Sequence, residues 1–218
     1  MARRGRKPRT SKSKLREQLI AKGLPMVIKE GPLSFKVDEL CNKQGISKRT
    51  FYEIFESKEI FLAEVVQLLL EQTYETLRSA EGETALDQLM SWNVNVVNLL
   101  RELPLTTVDE LQKHYPAVWD TVIRFLNNKV LPLLLENIER GKKEGLYREN
   151  LDDLVISRFR MHLFEFVYDR RFLREWDSPA DAYMQISDVT TRGMLTDKGM
   201  KRYLKVLEAL KKNESSLS

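Results

Sequence analysis

From Lys14 onward the apolar side chains recur at the three- and four-residue spacing of a helix, and no strand-like alternation persists. A chain patterned in this way buries its stripes helix against helix, so an all-α fold is expected. Glycine and proline divide the pattern. Helices are expected over residues 14–30, closed by Gly31-Pro32, over 37–44, stopped by Gly45, over 48–55 and over 57–79. Thr84, with Asp87 three residues on, has the pattern of a capping box and starts the next helix. A short helix follows Pro104, and Pro116 opens another that ends near Gly141 to Gly145. Asn150 can cap the next, with Asp152 and Asp153 in its positive first turn. Ser178-Pro179 starts another, and Thr196 caps a last helix that ends in a polar tail after Lys212. Two prolines strain the pattern. Pro25, just after Gly23, predicts a kink or a split in the first helix, and Pro132 predicts a bend near Asn128.

Charge is distributed unevenly along these helices. Residues 1–58 hold 15 Lys/Arg and 6 Asp/Glu, a net of +9, while the remainder holds 21 and 26, a net of −5. Such an asymmetry points to a polyanion-binding module on a body with another task. Residues 1–14 include Arg3, Arg4, Arg6, Lys7, Arg9, Lys12 and Lys14 with almost no apolar side chain, so a disordered basic arm is expected there. A secretory signal is not expected, because no apolar segment follows the basic start. No apolar run approaches the roughly 20 residues of a membrane span, so no membrane association is expected. Cys41 is the only cysteine, which rules out an intramolecular disulfide, and it reads as a small buried apolar residue.

Residues 34–58 carry the most chemistry. Gly45 stands where a tight turn between two helices needs a positive φ, and Ser47 follows as a cap. An eight-residue helix cannot persist alone and must be held by packing. On a helix from Lys48, the side chains of Phe51, Ile54, Phe55 and Lys58 share one side, and the apolar three can lock against Val37, Leu40 and Cys41. The other side presents Lys48, Arg49, Tyr52 and Glu53. A short helix with one apolar face and one basic, aromatic face suits a DNA major groove.

The run Asp38-Glu39-Leu40, Gly45-Ile46-Ser47-Lys48, Thr50-Phe51-Tyr52, Phe55, Ser57-Lys58-Glu59 and Leu62 resembles the signature of the TetR family of bacterial transcriptional regulators. The resemblance is tight over residues 15–65, and beyond them it rests on helix order and on Gln112-Lys113-His114-Tyr115-Pro116 and the stretch 141–148. It implies an N-terminal three-helix helix-turn-helix domain over 15–60, a helical effector-binding and dimerisation domain over 61–212, and a polar tail over 213–218. It also implies that Ser47, Lys48, Arg49 and Thr50 face bases and phosphates, and that Tyr52 and Lys58 meet phosphates. Lys36 stands where members usually carry Thr or Ser, so the cap of that helix is lost or moves to Ser34, and Lys36 is a further candidate phosphate contact. Ile54 and Gln44 also depart from the common pattern. In the arm, Arg3, Arg4 and Arg6 resemble a minor-groove hook, with a merely solvated basic tail as the other reading.

The body is rich in large side chains. Tyr74, Trp92, Trp119, Phe125, His162 and Phe166 are candidates to line an effector pocket of the kind the family implies. His162 shares a stripe with Val155, Phe159 and Phe166, for which core or dimer packing is the other reading. Phe159, Leu163, Val167, Met184 and Ile186 are candidates for a two-fold interface. The histidines and the cysteine show no metal-ligand spacing, and no nucleophile elbow, phosphate loop or dinucleotide fingerprint appears. No metal, cofactor or enzymatic activity is expected. What the resemblance implies is a cytoplasmic, nucleoid-associated homodimer that binds palindromic operator DNA and is released by a small apolar or amphipathic effector. An architectural DNA-coating protein of the same fold, without an effector, is the alternative.

Overall fold

The computed structural model describes residues 11–80, 82–169 and 178–215. They form α1 (Lys12–Glu30), α2 (Val37–Gln44), α3 (Lys48–Phe55), α4 (Lys58–Ser79), α5 (Ala85–Glu102), α6 (Thr107–His114), α7 (Pro116–Phe125), α8 (Leu131–Lys143), α9 (Asp153–Val167), α10 (Pro179–Met194) and α11 (Asp197–Ser215). The fold is all-α: among the described residues the only extended pairing is an isolated antiparallel bridge between Tyr147 and Leu195.

Side-chain caps fix most of the helix starts. Ser11 accepts from the Lys14 amide, Ser47 from Thr50, Ser57 from Ile60 and Ser178 from Asp181. Thr84 and Asp87 close the expected capping box, and Thr196 accepts from the Gly199 amide. The cap of α9 is Asp152, which accepts from the Val155 amide at 2.9 Å, and not Asn150. At α2 the cap bond is lost, because Lys36 occupies the cap position with no side-chain hydrogen bond. The α1 helix starts earlier than expected, since Ser11 draws residues 12–14 into it, and α11 runs on to Ser215.

Neither proline acts quite as expected. Pro25 does not split α1, which runs unbroken because Leu19, Leu24, Met26 and Val27 are all buried in one core. Gly23 has a packing reason: a Cβ there would lie 2.3 Å from Cζ of Phe61. Before Pro132 the chain makes a π-helical turn over Leu126–Val130, in which the Leu131 amide reaches back to Leu126. Proline removes an N–H and crowds the carbonyl four residues back, and the wider turn accommodates both.

Three apolar clusters organise the described residues. The first joins α1–α4 to Leu111, Val118 and Val122, so the small N-terminal helices share a core with α6 and α7. The second gathers α5, α8 and the ends of α10 and α11 around Leu89, Ile138, Tyr147 and Tyr203. The third joins α5 and α6 to α9 and α10 through Val97, Val108, Leu163, Val167 and Tyr183. Arg202 of α11 donates to Asp87 at 2.7 and 3.0 Å and to Glu83 at 2.7 Å, which ties the last helix to the start of α5. Cys41 is buried as expected, and burial pushes its thiol pKa up.

Candidate nucleic-acid interface and interior cavity

The short helix α3 is held from below by aromatic packing. Phe51 and Phe55 are fully buried, and Ile54 is buried beside Val37, Leu40 and Cys41 in the same cluster. The Phe61 ring at the start of α4 anchors them. It stacks on Phe35 at 5.4 Å and meets Phe51 and Phe55 at 5.2 and 5.0 Å. Gly45 takes φ 64°, ψ 33°, the left-handed turn that sets the angle between α2 and α3. Arg16 of α1 pins the far end: it donates to the Ile54 carbonyl at 2.6 Å, pairs with Glu64 of α4 and lies 4.8 Å from the centre of the Phe55 ring. Neither Phe61 nor Arg16 stood out in the sequence, where each is one more residue of a helical stripe.

The opposite face of α3 is open to solvent. Ser47, Lys48 and Arg49 are exposed, and Tyr52 is 42% exposed with its ring edge-on to Phe51 at 5.3 Å. Ser47 spends its hydroxyl as the cap and also meets Thr50 Oγ1 at 2.9 Å. The candidate cations are held by exposed carboxylates: Lys48 with Asp38 at 2.8 Å, Arg49 with Glu53 at 2.9 Å and Lys36 with Glu39 at 3.4 Å. Exposed pairs of this kind contribute about 0–1 kcal/mol each, so phosphates can displace the carboxylates at little cost. The free amides of the first turn of α3 add a partial positive charge to the same face.

Lys58, the other residue expected to meet a phosphate, is partly buried. Its ammonium donates to the carbonyls of Leu33 and Phe35 at 3.0 and 2.7 Å and lies over the rings of Phe35 and Tyr115. Desolvation lowers its pKa, against the pull of Glu110 and Glu30. Glu110 of α6 also accepts from the Leu33 amide at 2.9 Å. Lys58 and Glu110 together therefore hold the turn between α1 and α2 against the body. Lys58→Met should destabilise the fold by about 1.5–3 kcal/mol, the size of hydrogen bonds to a charged group. Urea unfolding measures it, and an unchanged midpoint would show that the lysine is not structural. Arg3, Arg4 and Arg6 lie outside the described residues.

Behind α3, an apolar cavity of about 200 Å³ opens between the N-terminal helices and the body. Leu24, Val27 and Ile28 of α1 and Val65, Val66 and Leu69 of α4 form one side. Trp92 and Val96 of α5, Val108 of α6 and Trp119 of α7 form the other, with Leu126 and Val130 of the π turn. Of the pocket candidates, Tyr74, Trp92, Trp119 and Phe125 line it. His162 and Phe166 do not. His162 is exposed beside Glu165 at 2.9 Å, and Phe166 is also exposed, because both sit on the outer face of α9.

Other large apolar side chains of α9 and α10 are also open to solvent. Val155, Phe159 and Phe166 on α9 and Met184 and Val189 on α10 are large and exposed, with Phe159 at 50% and Val189 at 68%. Phe159 and Met184 are thus available to a partner surface. Leu163 and Val167, expected at an interface, are instead buried within the chain against α5 and α10, and Ile186 is partly buried against the same cluster. Their side of α9 faces the chain's own core. Among the described residues no group of His, Cys, Asp and Glu is arranged to hold a metal ion, and no helix is long and apolar enough to cross a membrane.

No protein-family model matches the chain. It is 22% identical over 175 residues to the uncharacterized HTH-type transcriptional regulator YvaF of Bacillus subtilis (strain 168), covering 78% of this chain and 91% of that protein. Among solved structures it resembles a TetR-family transcriptional regulator from Agrobacterium tumefaciens, with a TM-score of 0.66 at 14% identity over 85% of this chain and 100% of that one. A TetR-family regulator from Cytophaga hutchinsonii gives a TM-score of 0.66 at 15% identity, over 88% of this chain and 100% of that one.

Proposed function

We propose that this chain, which has the fold of the TetR-family regulators, is a sequence-specific DNA-binding transcriptional regulator, a repressor released by a small effector. The observation that carries the reading is the exposed, basic and tyrosine-bearing face of α3, clamped from behind by Phe51, Phe55 and Phe61. In this reading α3 enters the major groove, with Lys48, Arg49 and Thr50 at base edges and phosphates and Tyr52 on a phosphate. Residues 15–60 act as the DNA-binding unit and 61–212 as the effector-binding and dimerisation unit. Two copies, joined by the outer faces of α9 and α10, set their α3 helices about 34–36 Å apart and read a palindrome. A cytoplasmic place beside the nucleoid follows from this role.

The cavity favours a gated repressor over an architectural DNA-coating protein. Its walls include α1, α4 and α6, the helices that hold the turn before α2 through Lys58 and Glu110. A molecule that fits the cavity better in one arrangement of these helices shifts the population toward that arrangement. The spacing of the two α3 helices changes, and operator affinity falls.

Gel-shift titration tests the interface. Tyr52→Phe should weaken binding to all sequences by about 0.5–1.5 kcal/mol, the size of one hydrogen bond. Arg49→Ala should weaken it by about 1–3 kcal/mol and relax base preference at one position of each half-site. Unchanged affinity for both variants would remove α3 from the interface. Footprinting separates the two roles: a discrete palindrome is expected, and uniform protection would favour coating.

A further inference from the structure

Arg160 of α9 is only 6% exposed and lines the interior cavity, whose other walls are almost wholly apolar. Its Nη1 donates to the hydroxyls of Thr190 and Thr191, both at 3.3 Å, and its Nη2 to Oδ1 of Asn93 at 3.0 Å. The Tyr183 hydroxyl donates to the same Asn93 oxygen at 3.4 Å. These oxygen acceptors are all neutral. Among the described residues no carboxylate stands within ion-pair distance of Arg160, and its Nε–H meets no acceptor.

The partly buried arginines among the described residues make the contrast plain. Arg16 pairs with Glu64, Arg140 with Glu144, Arg192 with Asp188 and Arg202 with Asp87 and Glu83. Each is more exposed than Arg160, and each has a counter-charge. A guanidinium stays charged in a protein, and a buried charge is tolerated when it is paired. The most deeply placed cation of the described residues lacks its anion inside a cavity with room for a ligand.

Resting on the effector-cavity reading above, we propose that the cavity takes an amphipathic aliphatic carboxylate. Its acid group pairs with Arg160 between Asn93 and Tyr183, and its hydrocarbon lies along Trp92, Val96, Met161 and Phe164. The planar fork of a guanidinium matches the two oxygens of a carboxylate. The cavity, about 200 Å³, has room for a hydrocarbon chain along these apolar walls.

Trp92 and Trp119 line the cavity and report occupancy by their fluorescence. Straight-chain carboxylates from six to sixteen carbons and the matching 1-alkanols are titrated, below their micellar limits, into the full chain. The best carboxylate should bind at least tenfold more tightly than its alcohol. Arg160→Gln should abolish that preference, and Arg160→Lys, which keeps the charge without the fork, should retain part of it. Equal binding of carboxylate and alcohol to the unaltered chain overturns the anion assignment and leaves the effector cavity standing. Binding of neither series overturns the cavity reading itself. A preference that survives in a folded Arg160→Gln variant removes Arg160 from the site. The unaltered-chain comparison decides the ligand class even where a variant fails to fold.

Discussion

Phe61→Ala should cost about 3–5 kcal/mol of stability and abolish DNA binding, because it empties the centre of the aromatic cluster under α3. Phe61 is fully buried and touches the rings of Phe35, Phe51 and Phe55 at 5.0–5.4 Å. A domain of this kind has about 5–15 kcal/mol to lose, so the loss is a large share of the total. The eight-residue α3 has no stability of its own and keeps its orientation only through this packing. Gly23 offers an independent check from the other side of the same ring. Gly23→Ala places a methyl 2.3 Å from Phe61 Cζ, and the ring is hemmed in on its other sides. Overpacking of a filled core costs about 1–3 kcal/mol. Gly23→Ala combined with Phe61→Leu should therefore cost less than the sum of the two single changes, as expected for residues in contact. Urea unfolding of the four chains measures the coupling. Strict additivity would mean that the glycine is not there for the phenylalanine, and a Phe61→Ala loss below about 1 kcal/mol would dissolve the clamp.

What the sequence makes legible is what local chemistry decides. The left-handed Gly45, the Ser47 cap and the phenylalanine spacing locate α2 and α3 without help from distant residues. The capping box at Thr84 and the Ser178-Pro179 start work for the same reason. The failures occur where two local answers compete or where tertiary packing chooses. Asn150 and Asp152 are both good caps, and only the register of α9 against the body selects the second. Glu56 adopts a positive φ of 58° at the turn into α4, where no glycine announces it. The α9 helix is apolar on two sides, so its periodicity does not say which side meets the chain's own core. That is why Leu163 and Val167 turned out to be interior while Phe159 and Phe166 are outside. Lys58 and Arg160 are ordinary surface residue types, and only the fold shows that one donates to two carbonyls and the other is buried beside a cavity. Propensity and capping are written residue by residue, whereas the fate of a charge depends on what the rest of the chain brings to it.

Phe159→Glu combined with Val189→Glu should leave the fold intact and reduce operator affinity by about a thousandfold or more, the usual gap between specific and non-specific binding. Both side chains are at least half exposed in the single chain, so the fold loses little when they change. In the proposed dimer they lie in the apolar seam made by α9 and α10, together with Val155, Phe166 and Met184. Burying four unpaired carboxylates across a two-fold axis is prohibitive, and the copies separate. A lone copy presents one α3, which cannot read two half-sites at once. The rest of its attraction is to phosphates and falls steeply with salt. Leu105→Glu is the control: Leu105 is 52% exposed but lies in the turn before α6 and on neither α9 nor α10, and its change should leave both mass and affinity as they were. Sedimentation and gel shifts on the three chains decide the matter. An unaltered chain that sediments as a monomer, or a double variant that stays dimeric with full affinity, would place the seam elsewhere. A double variant that is monomeric yet binds as tightly as before would break the link between pairing and operator recognition.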